Sequence, residues 1–393
     1  MSYITKFIND NYNSFEELKS GLTKAPYYLN VKESVDNVNL YMLCFTELSD
    51  LSLNHIRDCT GIILEKETNQ VIHFSFPKCY EGIYNPNSFA NILKGQESFQ
   101  KDLYEGDIHS MNNACDSKFT FNLFFIGSII KLYFYNGGWH IGTSKNLNAE
   151  NSFWSSKKSF ETLFVEAVEE SGEETSYTDF VEKLDPNYCY SYLLQHPENN
   201  CIVNVNRPFV FILNKVHTTS LREIILDKEC FVVSPLTVQN CNHLIYEHDK
   251  NGNVINRIKV LNKDYELLKN NYGNYPNIGL RYIECKMQDL VNESTTDCNK
   301  LRLLFPNEIL TFNKIDILFE KTCLNILRSY YNIFVVKRKT IKDIPKSQTK
   351  IIKKIENILD NNMAFKVTRD TIDKLFYTHN NIREIAYMIC YIY

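Results

Sequence analysis

The chain has 393 residues, 43 basic against 47 acidic, and a formal net charge of −4. That length suits two or three domains with an ample core, and the near balance of charge excludes a global affinity for polyanions, so any nucleic-acid surface must be local. The opening residues, MSYITKFINDNYNSF, hold no apolar core of a signal sequence, and no stretch approaches 18 apolar residues. Both point to a cytoplasmic chain with no membrane partner. Twelve cysteines are scattered without a C-x-x-C pair, which speaks for reduced thiols and against a zinc knuckle. The abundance of Tyr, Phe, Asn and Ile reads as AT-rich coding bias, a virus-like composition that reports genome rather than function.

In chain order, residues 1 to 120 read as short strands and turns, with LYMLCFTE and GIILEKETNQVIHFSF the clearest strands. Residues 121 to 146, FNLFFIGSIIKLYFYNGGWHIGTSKN, read as two strands around Asn136-Gly137-Gly138, a hairpin signal. SFETLFVEAVEESGEE repeats Phe160, Leu163, Phe164, Ala167 and Val168 at helical spacing. CYSYLLQ, CIVNV and FVFILNKV follow as strands, and HLIYEHDKNGNVINRIKV as a second hairpin. Beyond Pro306, NKIDILFEKTCLNILRSYYNIFVV, KIIKKIENILD and TIDKLFYTHNNIREIAYMICYIY read as helices. The expected architecture is α+β: a sheet-rich body over 1–315 and a helical domain over 316–393.

Familiar catalytic signatures are missing. There is no G-x-x-x-x-G-K-[ST] and no G-x-G-x-x-G, and His243 and His248 are wrongly spaced for H-E-x-x-H. No metal site and no cofactor is expected. A basic run, Lys337, Arg338, Lys339, Lys342, Lys346, Lys350, Lys353 and Lys354, is interrupted only by Asp343 among acids. It reads as a contact surface for RNA or a protein partner, or as a solvated helix face.

Several segments, in order over roughly residues 38 to 310, resemble the T4-type RNA ligases within the covalent nucleotidyltransferases. Gly61-Ile62-Ile63 resembles R-G-[IV]-[IV], with Thr60 at the Arg position. FPKCYEGIYN resembles P-x-x-K-F-F-N and keeps Lys78. FFIGSIIK resembles K-x-D-G-S, with Phe124 at the nucleophile, Ile126 at the Asp, and Gly127 and Ser128 kept. YSYLLQHPENNCIV resembles F-E-L-[VI]-x-P-x-N-R-I-V, with Leu193 at the acidic position. NIGLRYI resembles E-G-x-V with Ile278 for Glu, and NKLRLL resembles the K-x-K strand through Lys300 and Arg302.

The resemblance implies a nucleotide site whose chemistry has been removed. In that family a Lys attacks an α-phosphate and carboxylates hold the ribose and a divalent metal. Here the matching positions are all large and apolar. The implied protein is a pseudoenzyme that holds an RNA 5′ end or guanine nucleotide, such as capped mRNA, through Lys78, Lys131, Lys300 and Arg302. Aromatics near in sequence, Tyr80, Phe124, Tyr133, Trp139 and Trp154, are the candidates for stacking on a base. The alternatives are a scaffolding subunit of an RNA-processing or translation complex, and an active ligase with a displaced nucleophile at Lys118 or Lys131.

Overall fold

The computed structural model describes residues 3–76, 80–83, 118–124, 126–171, 176–199, 202, 205–224, 242–248, 254–261, 263–292, 295–361, 366–377 and 381–389. They fall into two compact units, Met1–Glu266 and Leu267–Tyr393.

The first unit opens with helices α1 (Tyr3–Asn11) and α2 (Phe15–Leu22), where short strands and turns are expected. The signal was present. Ile4 and Ile8 share one helical face and are fully buried. In S-F-E-E the Ser14 hydroxyl accepts from the Glu17 N–H, and the Glu17 carboxylate reaches back to the Asn13 N–H. The chain then runs through β1 (Asn30–Glu33), β2 (Leu40–Cys44), α3 (Asn54–Arg57), β3 (Thr60–Glu65), β4 (Val71–His73), β5 (Tyr80–Ile83), β6 (Lys118–Phe124), β7 (Ser128–Tyr135) and β8 (Gly138–Thr143). It continues with α4 (Phe160–Ser171), α5 (Tyr177–Glu182), β9 (Tyr188–Gln195), β10 (Phe209–His217), β11 (Glu223–Ile224), β12 (Asn242–His248) and β13 (Val254–Leu261).

These strands make three sheets. The first has order β1-β2-β3-β4, the second β11-β10-β9-β7-β8 and the third β5-β13-β12-β6. All pairings are antiparallel except β5 with β13. LYMLC is apolar at every position because both faces of the first sheet are covered. Tyr41 and Leu43 pack with Ile4, Ile8, Leu18 and Leu22 of the helices. Leu40, Met42 and Cys44 pack with Tyr133, Cys189 and Val216 of the second sheet. The far face of the second sheet, Ile130, Leu132, Tyr192 and Leu194, packs on Leu163, Phe164, Ala167 and Val168 of α4. The body is therefore layered helix, sheet, sheet, helix.

The expected hairpins are present. β7 and β8 pair Tyr135 with Gly138, which leaves Asn136 and Gly137 as a two-residue turn, both with positive φ. β12 and β13 form the second hairpin, and α4 matches its periodicity. CIVNV lies largely outside the described residues. The segment around FFIGS is not one strand. β6 ends at Phe124 in the third sheet, paired with Asn242, and β7 begins at Ser128 in the second.

The second unit is helical: α6 (Lys263–Tyr272), which carries the division at Leu267, then α7 (Ile278–Asn292), α8 (Thr296–Leu304), α9 (Ile309–Tyr330), α10 (Lys346–Asn361), α11 (Arg369–Tyr377) and α12 (Ile382–Met388). Helices thus begin well before residue 316, the expected boundary, which falls inside α9. NIGLRYI and NKLRLL, matched above to strands, are helices instead. Leu280, Ile283 and Met287 are buried at spacings of three and four, the period of a helix. α8 is held at its start by Asp289, whose carboxylate accepts from the N–H groups of Asp297 and Cys298.

α9 anchors this unit through Phe312, Ile315, Phe319, Cys323 and Ile326, all buried. Tyr282 of α7 stacks on Phe312 at 4.5 Å. Asp316 accepts from Lys286 at 2.6 Å, Arg302 at 2.6 Å and the Tyr282 hydroxyl at 3.0 Å. One carboxylate joins three helices, so Asp316→Ala leaves two cations and a phenol without their acceptor. The expected loss, for side chains a quarter to a third exposed, is about 1–2 kcal/mol. Denaturant unfolding of the variant against Asp316→Asn, which keeps one acceptor, measures it.

Candidate functional site: a lysine-lined pocket between two sheets

β7 alternates. Ile130, Leu132 and Phe134 face α4, while Ile129, Lys131 and Tyr133 face the first sheet. Lys131 therefore projects from the second sheet into the space between the layers, where it is only 1% exposed. Its Nζ donates to the Gly61 carbonyl at 2.5 Å and lies 3.5 Å from the Met42 sulfur. The same carbonyl accepts from the Ser75 hydroxyl at 2.6 Å. Gly61 has φ +102, and a Cβ there would meet the Ser144 carbonyl at 2.5 Å and collide with the lysine Nζ. Glycine is required because the two sheets approach each other here through one side chain.

Above this contact opens a cavity of about 610 Å³, within the range of small-ligand sites. Its lining includes Lys32, Lys131, Lys145 and Lys259, and Glu47 is the one carboxylate among the described lining residues. Phe45, Phe76, Ile129 and Leu51 supply apolar wall. Lys32 is held in place, donating to the Lys145 carbonyl at 2.5 Å and to Asn146 at 2.8 Å. Thr60, at the family's Arg position, donates its hydroxyl to the Phe76 carbonyl at 2.8 Å and fixes that wall.

The electrostatics follow from burial. Burial pulls the Lys131 ammonium down to about 8, so it is still mostly charged at pH 7. Its neighbours provide no counter-charge. Burial pushes the Cys189 thiol up to about 12 and the Cys44 thiol upward, so both stay neutral. Burial, with the nearby Lys131 charge, depresses His73 to about 3, and it too is neutral. An ammonium in such a place is costly unless an anion joins it.

The expected site residues separate. Lys78 lies outside the described residues, as do the side chains of Tyr80 and Phe124. Ile126 offers its carbonyl to the Gln195 amide at 2.7 Å. Leu193 pairs in register with Ile129 and packs with Phe211, one strand away from the pocket floor. Trp139 is not at the pocket. It pairs with Phe134, meets that ring and Tyr190 at 5.4 and 5.8 Å, and packs on the α4 side of the sheet. Tyr133 shares the face of Lys131 but is buried, its hydroxyl spent on the Leu147 carbonyl. Trp154 is exposed on the loop before α4. Ile278, Lys300 and Arg302 belong to the helical unit; Lys300 is exposed, and Arg302 is engaged by Asp316, Tyr282 and Asn313. Lys337, Arg338 and Lys339 stand together, exposed, on a turn after α9. Farther on, Lys350 pairs with Glu384, so part of the basic run is neutralised. The residues that sequence reasoning missed, Lys32, Phe45, Glu47, Phe76 and Lys145, carried no motif; they meet only through the packing of the sheets.

No protein-family model matches the chain. Over 282 residues it is 24% identical to the Immediate-early protein ICP-46 homolog of Invertebrate iridescent virus 3, a match covering 68% of this chain and 58% of that protein. The chain thus spans less than two thirds of the relative's length. A solved structure assigned as an ATP-dependent DNA ligase from Aquifex aeolicus is similar over 88% of this chain and 79% of its own, with 9% identity and a TM-score of 0.33. Among the described residues no helix is long and apolar enough to cross a membrane.

Two stability outcomes follow from the Gly61–Lys131 contact. Gly61→Ala should destabilise by at least about 3 kcal/mol, since both backbone φ and the space around it forbid a side chain. Lys131→Met should do the reverse at neutral pH. Each unit of pKa depression is about 1.4 kcal/mol, so lowering a lysine from 10.5 to about 8 marks a folded-state penalty of order 3 kcal/mol. The unfolded chain binds the extra proton between pH 8 and 10.5, so the wild type gains stability as pH rises through that window. The advantage of Lys131→Met in urea unfolding should be full at pH 7 and shrink toward pH 10. A constant difference across that range contradicts the assignment.

Proposed function

We propose that the first unit binds the phosphorylated end of a nucleotide or of an RNA 5′ end in this pocket and does not transfer it covalently. One observation carries the reading: a buried ammonium, Lys131, with no counter-anion around it, on the floor of a cavity that also holds Lys32, Lys145 and Lys259. Phosphate supplies the charge that is lacking, and phosphate oxygens accept from ammonium donors at short range. Phe45 and Phe76 in the wall take the stacking role first expected of Trp139; such stacking contributes about 1–3 kcal/mol per base. Glu47 is a carboxylate that can accept from the N1 and N2 protons of guanine. It therefore favours guanine over adenine and keeps a capped 5′ end as the preferred ligand.

The absence of transfer rests on sequence. The position that matches the family's nucleophile is Phe124, which has no amine. Lys131 has an amine, but it is locked on the Gly61 carbonyl within the sheet interface. Its role in this reading is charge.

The test is a fluorescence titration with m7GTP, GTP, ATP and a capped oligonucleotide. Lys131→Met should weaken all four by about tenfold or more, and Glu47→Gln should weaken only the guanine ligands, by about tenfold. Affinity of the wild type should fall as pH rises past about 8, where Lys131 loses its proton, and Lys131→Met should lack that break. Undetectable binding of all four ligands would remove the proposal. An acid-labile label from α-labelled ATP or GTP that maps to Lys131 would replace it with the active-ligase reading.

A further inference from the structure

α9 carries two apolar stripes. The inner one, Phe312, Ile315, Phe319, Cys323 and Ile326, is buried in the helical unit at spacings of three and four. The outer one is Leu310, Ile317, Leu324 and, just past the helix end, Tyr331. These recur every seventh residue, with exposures of 81%, 68%, 47% and 55%. At 3.6 residues per turn the second stripe lies roughly half a turn from the first. Buried packing therefore does not explain it. Beside it runs a second heptad series, Lys314, Lys321 and Arg328, all exposed. The helix has two acids, and both turn back into the unit: Asp316 to Lys286 and Arg302, and Glu320 to Arg369 at 2.7 Å. The outward face is thus a line of apolar residues flanked by a line of cations.

We propose that this face docks an acidic amphipathic helix of a partner protein. A strict seven-residue period is the pattern by which one helix follows another in a left-handed supercoil. The flanking cations select the occupant. A second copy lying antiparallel would set Lys314, Lys321 and Arg328 against their own counterparts, which repel. A helix with Glu or Asp beside its apolar seam meets them with the opposite charge. A bilayer surface calls for a broad apolar face, whereas this stripe is one residue wide and the broad face of α9 is already buried.

The experiment uses the full chain and a labelled four-heptad peptide with Leu at the seam and Glu at the flanks, together with its Lys-flanked twin. Fluorescence anisotropy should show the Glu peptide binding at least about tenfold more tightly than the twin at low salt. Ile317→Ser with Leu324→Ser should abolish binding without changing the melting curve, because both side chains are largely exposed. Lys321→Glu with Arg328→Glu should reverse the preference between the two peptides. Equal binding of both peptides, or none, overturns the proposal. So does a concentration-dependent dimer that the serine variant abolishes, which would make the occupant a second copy. Binding to phosphatidylserine vesicles lost in the same variant would make it a lipid surface.

Discussion

The contact between the Lys131 ammonium and the Gly61 carbonyl is the constraint on which the first unit depends. Stacked sheets sit about 10 Å apart, and ordinarily apolar side chains from both fill that gap. That is the arrangement one turn away, where Leu40, Met42 and Ile63 meet Tyr133 and Val216. At Lys131 a long cationic side chain crosses instead and ends on a backbone oxygen. The glycine, with its left-handed φ and a Cβ position already claimed by Ser144 and the lysine, exists to allow that crossing. Because an ammonium does not pack against leucines, the layers part beside it, and the pocket is the gap that results. A methionine would fill the same volume at lower cost. The charge is therefore better understood as serving a ligand than as serving the fold.

The helical unit treats its inward cations in the opposite way. Lys286 and Arg302 face the core of that unit, and Asp316 neutralises both while accepting from Tyr282. Arg369 is met by Glu320 and Asp373. These are closed networks, with acceptors supplied from within. Lys131 has a carbonyl and a thioether where those cations have carboxylates. The difference separates a structural cation from one available to an anion, and it is why Arg302, a candidate on sequence grounds, is read as architecture.

Strong local signals made much of the fold legible. Asn136-Gly137 fixed a turn, five apolar residues at helical spacing fixed α4, and long periodic stretches after Pro306 fixed α9 and α10. The failures are equally physical. α7 and α8 were taken for strands because a few letters of a motif outweighed a fifteen-residue helical period. Phe124 and Lys131 were placed on one continuous strand, although the chain changes sheets between Phe124 and Ser128. Trp139 was chosen for nearness in sequence, yet strand parity already excludes it. It pairs with Phe134, an odd number of residues from Lys131, so the two side chains leave opposite faces. Lys131 itself was named, but the contact that makes it unusual spans 70 residues of chain. No spacing rule reaches that far.

The same reasoning applied to α9 explains why its outer stripe is informative while other exposed apolar residues are not. Val35, Val38 and Leu48 are as exposed, but they stand on loops without a period, and single exposed apolar side chains are ordinary. In α9 four such residues recur at one interval along a helix that already satisfies its core with the opposite face. A straight helix drifts about 20° per heptad against a seven-residue repeat, so the stripe curls slowly around the axis. Only a surface that curls with it, another helix, can follow the stripe over its whole length. The parallel line of Lys314, Lys321 and Arg328 curls at the same rate, because it shares the interval, and so remains beside the seam throughout. The charge preference is thereby tied to the same partner geometry as the apolar contact.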